Sequence, residues 1–287
     1  MASLAGVLFD GFAYGMLLFL LSVGLSVTLG MMNFVNLAHL SFGMVGGYTA
    51  VKVTNDMGWH FLASLPLAFF SAAVVAVVLE RLLFRRLYRA TDLDQCLLSI
   101  GIVFVSVAAA AWLFGTVQQP VITPKWLHGT VNLFGVQLGA YRLFLICVSL
   151  VVTVLLVWSL ERTRFGAQVR AAVDNQRMAR GLGIDVDRAF AITFALGGGL
   201  AGLGGALSVS MIGGIDNAFA FTYLVYVLIV VAVGGLGSIG GSFLAATVLG
   251  ISDMAGKYYF PELGAFLIYL VMVGLLMWRP LGLFGKR

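Results

Sequence analysis

The sequence predicts an all-α polytopic membrane protein with about eight to nine transmembrane segments, some of them broken or re-entrant. Three observations carry that prediction. Of the 287 residues, 61% are hydrophobic and only 10% are charged, and the mean hydropathy is +1.04, far outside the range of soluble domains. Apolar stretches run over about 7–30, 40–53, 61–80, 96–115, 141–160, 189–212, 223–254 and 262–278. At about 20 residues per crossing this length allows roughly eight to ten spans. Most basic residues are segregated: Arg81, Arg85, Arg86 and Arg89, then Arg162, Arg164, Arg170, Arg177, Arg180 and Arg188, then Arg279, Lys286 and Arg287, with only Lys52, Lys125, Arg142 and Lys257 elsewhere.

That segregation sets an orientation. The bias of basic residues toward the cytoplasm places the 81–95 loop, the 161–188 loop and the C-terminus inside. The first basic residue is Lys52, so the N-terminus lacks the basic region of a signal peptide and is best placed outside. An odd number of crossings follows. The net charge of +5 therefore reads as topology and contact with lipid, with no call for nucleic acid.

The first 53 residues contain an interruption. After Gly24-Leu-Ser-Val-Thr-Leu-Gly30 come Asn33, Asn36 and His39, then Ser41-Phe42 and a second apolar run. Polar side chains near membrane depth must be buried in protein or line a cavity. They either hold a solute's polar end or cap and pin a broken helix, and the residues alone allow both. The 223–254 stretch is too long for one span and short for two full ones. It carries Gly234, Gly235, Gly237, Ser238, Gly240 and Gly241 at its centre. Splitting it there gives nine crossings and an odd count, whether as two full helices or as a broken or re-entrant pair. Ser41-Phe42 and Ser242-Phe243 follow the two breaks, and Glu80-Arg81-x-x-Phe84 with Arg89-Ala90 recurs as Glu161-Arg162-x-x-Phe165 with Arg170-Ala171. Internal repeats are one reading of these matches; the common preference of cytoplasmic helix ends for arginine is the other.

Between the spans, the 116–140 segment is expected outside. Its Thr130-Val-Asn-Leu-Phe-Gly-Val-Gln-Leu138 alternates around a turn and suits a small hairpin. The 161–188 segment holds six arginines and four acids between two apolar runs, more organisation than a linker needs. Frequent alanine, with Gly181 and Gly183 beyond, predicts a short helix from about Ala167 to Arg180. Arg170, Asp174 and Arg177 then share one face, with Ala171, Ala172 and Ala179 on the other. Such a stripe is usually a solvated face, but the small-residue side suits docking into a partner's cleft.

No residue set reads as catalytic, and none has metal-ligand spacing. Gly-x-x-x-x-Gly-Lys-Ser/Thr is absent from the sequence, so any ATP would be hydrolysed by another chain. Gly197-Gly-Gly-Leu-Ala-Gly-Leu-Gly-Gly205 lies in an apolar span, where close helix packing is its natural role. Cys96 and Cys147 read as small packing residues. Glu80 and Glu161 sit beside arginines at helix ends, where interfacial pairing explains them. Asp10 and Asp253 lie near outer ends, and Asp253 and Lys257 have the spacing of a helix-surface pair, as do Lys52 and Asp56. None of these acids reads as a buried proton relay, which counts against a proton- or sodium-driven carrier.

The spacing Thr163-x-x-Gly166-x-x-x-Arg170-Ala171-x-x-Asp174-x-x-x-x-Ala179-x-x-x-Gly183-Ile184 resembles the cytoplasmic loop of branched-chain amino acid permeases of ATP-binding-cassette importers. The Gly24-Leu-Ser-x-x-x-Gly30 opening with Asn33, Asn36, Ala38 and His39 is similar to that of the LivH-type member, and Gly234-Gly-Leu-Gly-Ser-Ile-Gly-Gly241 to its late glycine motif. One departure is local: Leu40-Ser41 follows His39, where many relatives are expected to carry a glycine and an acidic residue. The resemblance implies that residues 1–287 form a single multi-pass permease domain in the bacterial inner membrane. It also implies a LivM-type permease as partner in a heterodimer, two ATPase subunits that use ATP and magnesium, and a periplasmic substrate-binding protein, with no cofactor on this chain. On that resemblance 161–188 is the coupling loop, with Thr163, Gly166, Arg170, Ala171, Asp174, Ala179 and Gly183 as its coupling residues. Asn33, Asn36, His39, Ser41, Gly237 and Ser238 are the translocation-pathway candidates. Branched-chain or other hydrophobic amino acids lead as cargo. The competing reading is a self-sufficient carrier or channel for small polar solutes such as amides or urea.

Overall fold

A computed structural model describes residues 4–32, 34, 36–88, 90–133 and 136–285. The order of helices is α1 (Leu4–Met32), α2 (His39–Val51), α3 (Phe61–Leu82), α4 (Asp92–Phe114), α5 (Ala140–Arg162), α6 (Arg164–Asp174), α7 (Gln176–Gly181), α8 (Val186–Ile212), α9 (Phe219–Gly234), α10 (Ile239–Tyr259) and α11 (Gly264–Trp278). A π-helical turn, Lys52–Asp56, extends α2. Strands β1 (Thr130–Leu133) and β2 (Val136–Gly139) form the expected hairpin, with Thr130 opposite Gly139.

Among the described residues six helices are long and apolar enough to cross a membrane: α1, α3, α4, α5, α8 and α10. Helix α9 and residues 266–278 are shorter apolar helices. At 1.5 Å per residue, the 13-residue α2 is too short to span hydrocarbon alone. The chain is a multi-pass membrane protein built around α1 and α8. Of their most apolar windows 89% and 83% are buried, against 22–28% for α3, α4 and α5. Small residues permit that centre. A Cβ on Gly15 would stand 2.7 Å from the Ala246 carbonyl of α10, and one on Gly202 2.7 Å from the Ala68 carbonyl of α3. Backbones this close exclude any side chain, the packing expected for the glycine run in α8.

Both predicted interruptions occur, at Met32–His39 and at Gly234–Ile239. The second is a backbone reversal that needs positive φ at Gly235 (+93°) and Gly237 (+77°). The last carbonyls of α9 would be orphaned by this reversal. Instead Val233 and Gly234 accept from the backbone N–H groups of Leu283 (2.7 Å) and Phe284 (3.2 Å), so the segment after α11 folds back onto the break.

Several expectations are corrected. The single helix at 167–180 is two helices, because Asn175 (φ −156°, ψ 96°) leaves helical geometry and its side chain caps α7 at Met178 N, 3.0 Å away. Arg177 therefore does not continue the Arg170–Asp174 stripe. Ala172 and Ala179 pack inward on Val186 and Phe190, so they seat the loop on its own chain and do not offer a small-residue face to a partner. Cys96 is half-buried, but Cys147 lies on the outer face of α5 and packs no core. The matched Glu80 and Glu161 segments sit in different surroundings. Glu80 is buried in α3 and Phe84 is buried at the start of a 3-10 turn, Phe84–Leu87, while Glu161 is exposed and leads into α6. Arg89 and Gly135 lie outside the described residues, as do Lys286 and Arg287.

Candidate functional site

The arginine-rich end is organised by an elbow between α5 and α6. Thr163 caps α6, its Oγ1 accepting from Gly166 N at 3.3 Å while donating to the Ser159 carbonyl. Gly166 lies flat against α5, where a Cβ would stand 2.7 Å from Leu160 Cα and closer still to its carbonyl. Arg170 then reaches back and donates through Nη1 to that same carbonyl. Leu160 is in the last turn of α5, whose carbonyls lack helical partners and whose dipole favours a cation. Three of the seven predicted coupling residues thus hold the loop's angle. Gly183 (φ +82°) makes the turn toward α8, and Asp174 stays exposed. Asp187 ties the loop to the α3–α4 turn, accepting from Arg180 at 3.0 Å and from Arg85. Val173, Met178 and Leu182 are exposed apolar residues on this otherwise charged loop. Sequence reasoning passed over them in favour of the alanines.

The first break is held from inside. Phe34 packs edge-on against Phe84 and Tyr88, at 5.2 and 5.6 Å between ring centroids. Asn36, buried, accepts at Oδ1 from Ala38 N (3.0 Å), and its Nδ2 has no partner. His39 Nε2 lies 3.1 Å from the Leu21 carbonyl of α1. A carbonyl only accepts, so Nε2 carries the proton. Ser41 and Ser106 share a hydroxyl hydrogen bond of 2.7 Å, joining α2 to α4. The pinning role expected of Asn36 and His39 has these named partners; Asn33 lies outside the described residues.

The separate motifs converge on the C-terminal half of α1. Gly24 abuts Gly197, the two backbones close enough that a Cβ on Gly197 would stand 3.0 Å from the Gly24 carbonyl. Ser242 donates to Ser26 at 3.0 Å, and a Cβ on Gly237 would lie 2.5 Å from Gly30 Cα. Ser238 caps α10 by accepting from Gly241 N at 3.0 Å. A cavity of about 640 Å³ at this end is lined by Gly30, Arg170, Asp174, Gly237, Ser238 and Phe284, among others. Two predicted coupling residues and two predicted pathway residues thereby face one space. Asn36, His39 and Ser41 are not among its walls.

Two acids depart from their sequence reading. Glu80 is buried and accepts from the Tyr88 hydroxyl at 2.7 Å in place of an arginine. Burial, then that bond, holds the Tyr88 phenol above its ordinary pKa, so it stays a donor. Asp253 does pair with Lys257, at 2.6 Å, but it is only 1% exposed while the lysine is half-exposed, and its Oδ1 has no partner. It is a covered carboxylate, not a surface one. Asp10 pairs with Arg142.

Comparison with known proteins accords with this geometry. The family model described as branched-chain amino acid transport system / permease component matches residues 7–276. The high-affinity branched-chain amino acid transport system permease protein LivH of Escherichia coli (strain K12) is 24% identical, over 97% of this chain and 94% of that protein. BraD of Pseudomonas aeruginosa, named with the same function, is 24% identical over 97% of this chain and 95% of its own. LivM of Escherichia coli (strain K12) is 26% identical over 93% of this chain and 68% of its own. No solved structure gives a significant match. With the match running from the start of α1 into α11, across both helix breaks and the elbow, the chain belongs to the family of branched-chain amino acid transport system permease components.

Proposed function

We propose that this chain is a permease subunit of an ATP-binding-cassette importer in the bacterial inner membrane, moving branched-chain or related hydrophobic amino acids by alternating access. The observation that carries the proposal is the shared cavity, in which Arg170 and Asp174 of the loop face Gly237 and Ser238 of the α9–α10 break. A push on the loop there meets a backbone reversal packed directly on α1, where a Cβ on Gly237 would lie 2.5 Å from Gly30 Cα, so movement of the loop is passed to the helices by contact. On this reading the 161–188 loop is cytoplasmic and receives one of two ATPase subunits. Exposed Val173, Met178 and Leu182 supply its apolar contact, with Arg170 and Asp174, also exposed, as their charged neighbours. A LivM-type permease completes the pathway as a heterodimer. The likeness of this chain to both LivH and LivM proteins supports a pair of related permeases. A periplasmic binding protein delivers cargo at the opposite, hairpin-bearing end.

The competing carrier reading draws on one observation, the buried Asp253. That carboxylate pairs with Lys257 through Oδ2 alone and leaves Oδ1 without a partner. Co-purification of the tagged chain, expressed with its genomic neighbours, separates the two. The importer reading expects an ATPase to be retained and its turnover to rise with the loaded binding protein. A chain that retains no ATPase and transports under an ion gradient alone refutes it.

A further inference from the structure

The apolar helices expose two kinds of surface. Through their spans α4 exposes Leu97, Ile100 and Val105, and α5 exposes Val151, Val154 and Leu155, an aliphatic surface as apolar as lipid tails. The face formed by α9 and α11 differs. Thr222 is exposed, Tyr269 is 36% exposed, and Tyr223 and Tyr226 are half-buried. The Tyr226 ring lies 6.0 Å from that of Tyr223 on the same helix and 6.3 Å from that of Tyr269 on α11.

Depth decides what these phenols mean, because tyrosine is common at the membrane–water boundary. The Phe221 ring of α9 meets that of Phe104 at 5.2 Å. Phe104 has 12 residues of the 23-residue α4 before it and 10 after, so it marks the middle of a spanning helix. At 1.5 Å per residue Tyr226 lies about 7 to 8 Å beyond Phe221, inside the roughly 15 Å half-thickness of hydrocarbon. A hydroxyl turned toward acyl chains at that depth has no partner. Behind the phenols stands Asp253, 1% exposed with Oδ1 unpartnered, near enough for its charge to act on Tyr223 and Tyr226. The same face starts at the coupling cavity. Leu236 and Phe284, which follow α9 and α11, line that cavity, and Phe284 N donates to the Gly234 carbonyl of α9.

We propose that the α9–α11 face bearing Tyr223, Tyr226 and Tyr269 is the surface on which the second, related permease packs, with polar groups of that partner meeting the phenols. Length supports a protein neighbour here. Helix α9 has 16 residues and α11 has 15, about 24 Å or less against roughly 30 Å of hydrocarbon, so a protein on this side also covers their ends. Lipid matches the exposed faces of α4 and α5 but leaves the phenols unpaired. The proposal rests on the importer reading and adds to it the face on which the two permeases meet. It sets that joint on the two helices continuous with the coupling cavity.

The test introduces the photo-crosslinking residue p-benzoyl-phenylalanine, one position at a time, into the complete transporter in its membrane, with a separate epitope tag on the second permease. The positions are Thr222 and Tyr269 on this face, and Val105 of α4 and Val154 of α5 as lipid-facing controls. The Thr222 hydroxyl bonds the Ala218 carbonyl within α9 (3.1 Å), so its replacement removes no hydrogen bond between helices. The expected result is an adduct with the second permease from Thr222 and Tyr269 and none from Val105 or Val154. In parallel, Tyr226→Leu with Tyr269→Leu, which lipid tolerates, is expected to lower the second permease retained by this chain by about fivefold or more, the scale of interface tyrosines. Adducts from Val105 or Val154 alone move the joint to α4 or α5 and overturn the proposal. Lipid adducts only from Thr222 and Tyr269, or no adduct from either in a complex that retains the second permease, overturn it too, as does unchanged retention in the double variant. An adduct with a second copy of this chain replaces the related permease and likewise overturns it. A purified complex without any second permease or ATPase overturns the importer reading itself, a result distinct from the others.

Discussion

Gly166→Ala is the most direct perturbation of the elbow. The added Cβ would stand 2.7 Å from Leu160 Cα, against the 3.4 Å at which ordinary van der Waals contact begins, and nearer still to the Leu160 carbonyl. Both atoms are backbone, so no side chain can rotate aside and α6 must swing away from α5. Overpacking of this kind costs about 1–3 kcal/mol. The swing also separates Arg170 from the carbonyl that it grips and loosens the Thr163 cap. If the elbow has one docking-competent angle, this cost lowers the population at that angle by about 5–150-fold. The assay is the ratio of leucine uptake to ATP hydrolysis in the reconstituted transporter. Uptake per ATP is expected to fall within that range, while membrane insertion and the apolar core stay intact. Wild-type coupling in Gly166→Ala refutes the reasoning, because an elbow that tolerates displacement transmits nothing.

Three further outcomes follow from local geometry. Ser238→Ala removes the cap of α10 and is expected to cost about 1 kcal/mol, read as a lower melting temperature in detergent that Ser238→Asn restores. Gly202→Leu is expected to abolish a monodisperse fold on size exclusion, since its backbone lies against Ala68, whereas Gly101→Ala, with nothing within 4 Å, is neutral or stabilising by about 0.4–1 kcal/mol. Lys257→Met leaves the buried Asp253 carboxylate without its cation. It is expected to destabilise by about 1–3 kcal/mol, toward the lower end because the lysine is half-exposed. Adding Asp253→Asn is expected to recover part of that loss; no recovery contradicts the assigned pairing.

The parts of the fold legible in the sequence are those that depend on one segment at a time. Apolar length marked the spanning helices, and glycine density located the α9–α10 break, because positive φ has a residue signature. The 130–138 alternation announced the hairpin because successive strand residues face opposite sides. What failed depends on a third element. An aspartate four residues before a lysine reads alike on an exposed or a covered helix face, and only the packed neighbours of α10 bury Asp253. Glu80 meets Tyr88 across a turn whose path no spacing encodes. Asn175 was legible as a helix cap but was read through, because the alanines around it favour helix. At the site, the motif residues Thr163, Gly166 and Arg170 meet at one elbow. Their contacts are with α5, however, and the exposed Val173, Met178 and Leu182 carried no pattern distinguishing them from core residues.

The central claim is that this chain translocates cargo only as part of a machine powered by ATP on other polypeptides. The most direct measurement is leucine uptake by proteoliposomes holding the chain with its co-purified partners, with ATP inside and the loaded binding protein outside, compared with the chain alone under proton and sodium gradients. The account predicts accumulation that requires both ATP and the binding protein, and none by the chain alone. Gradient-driven accumulation by the chain alone, insensitive to ATP, would contradict it.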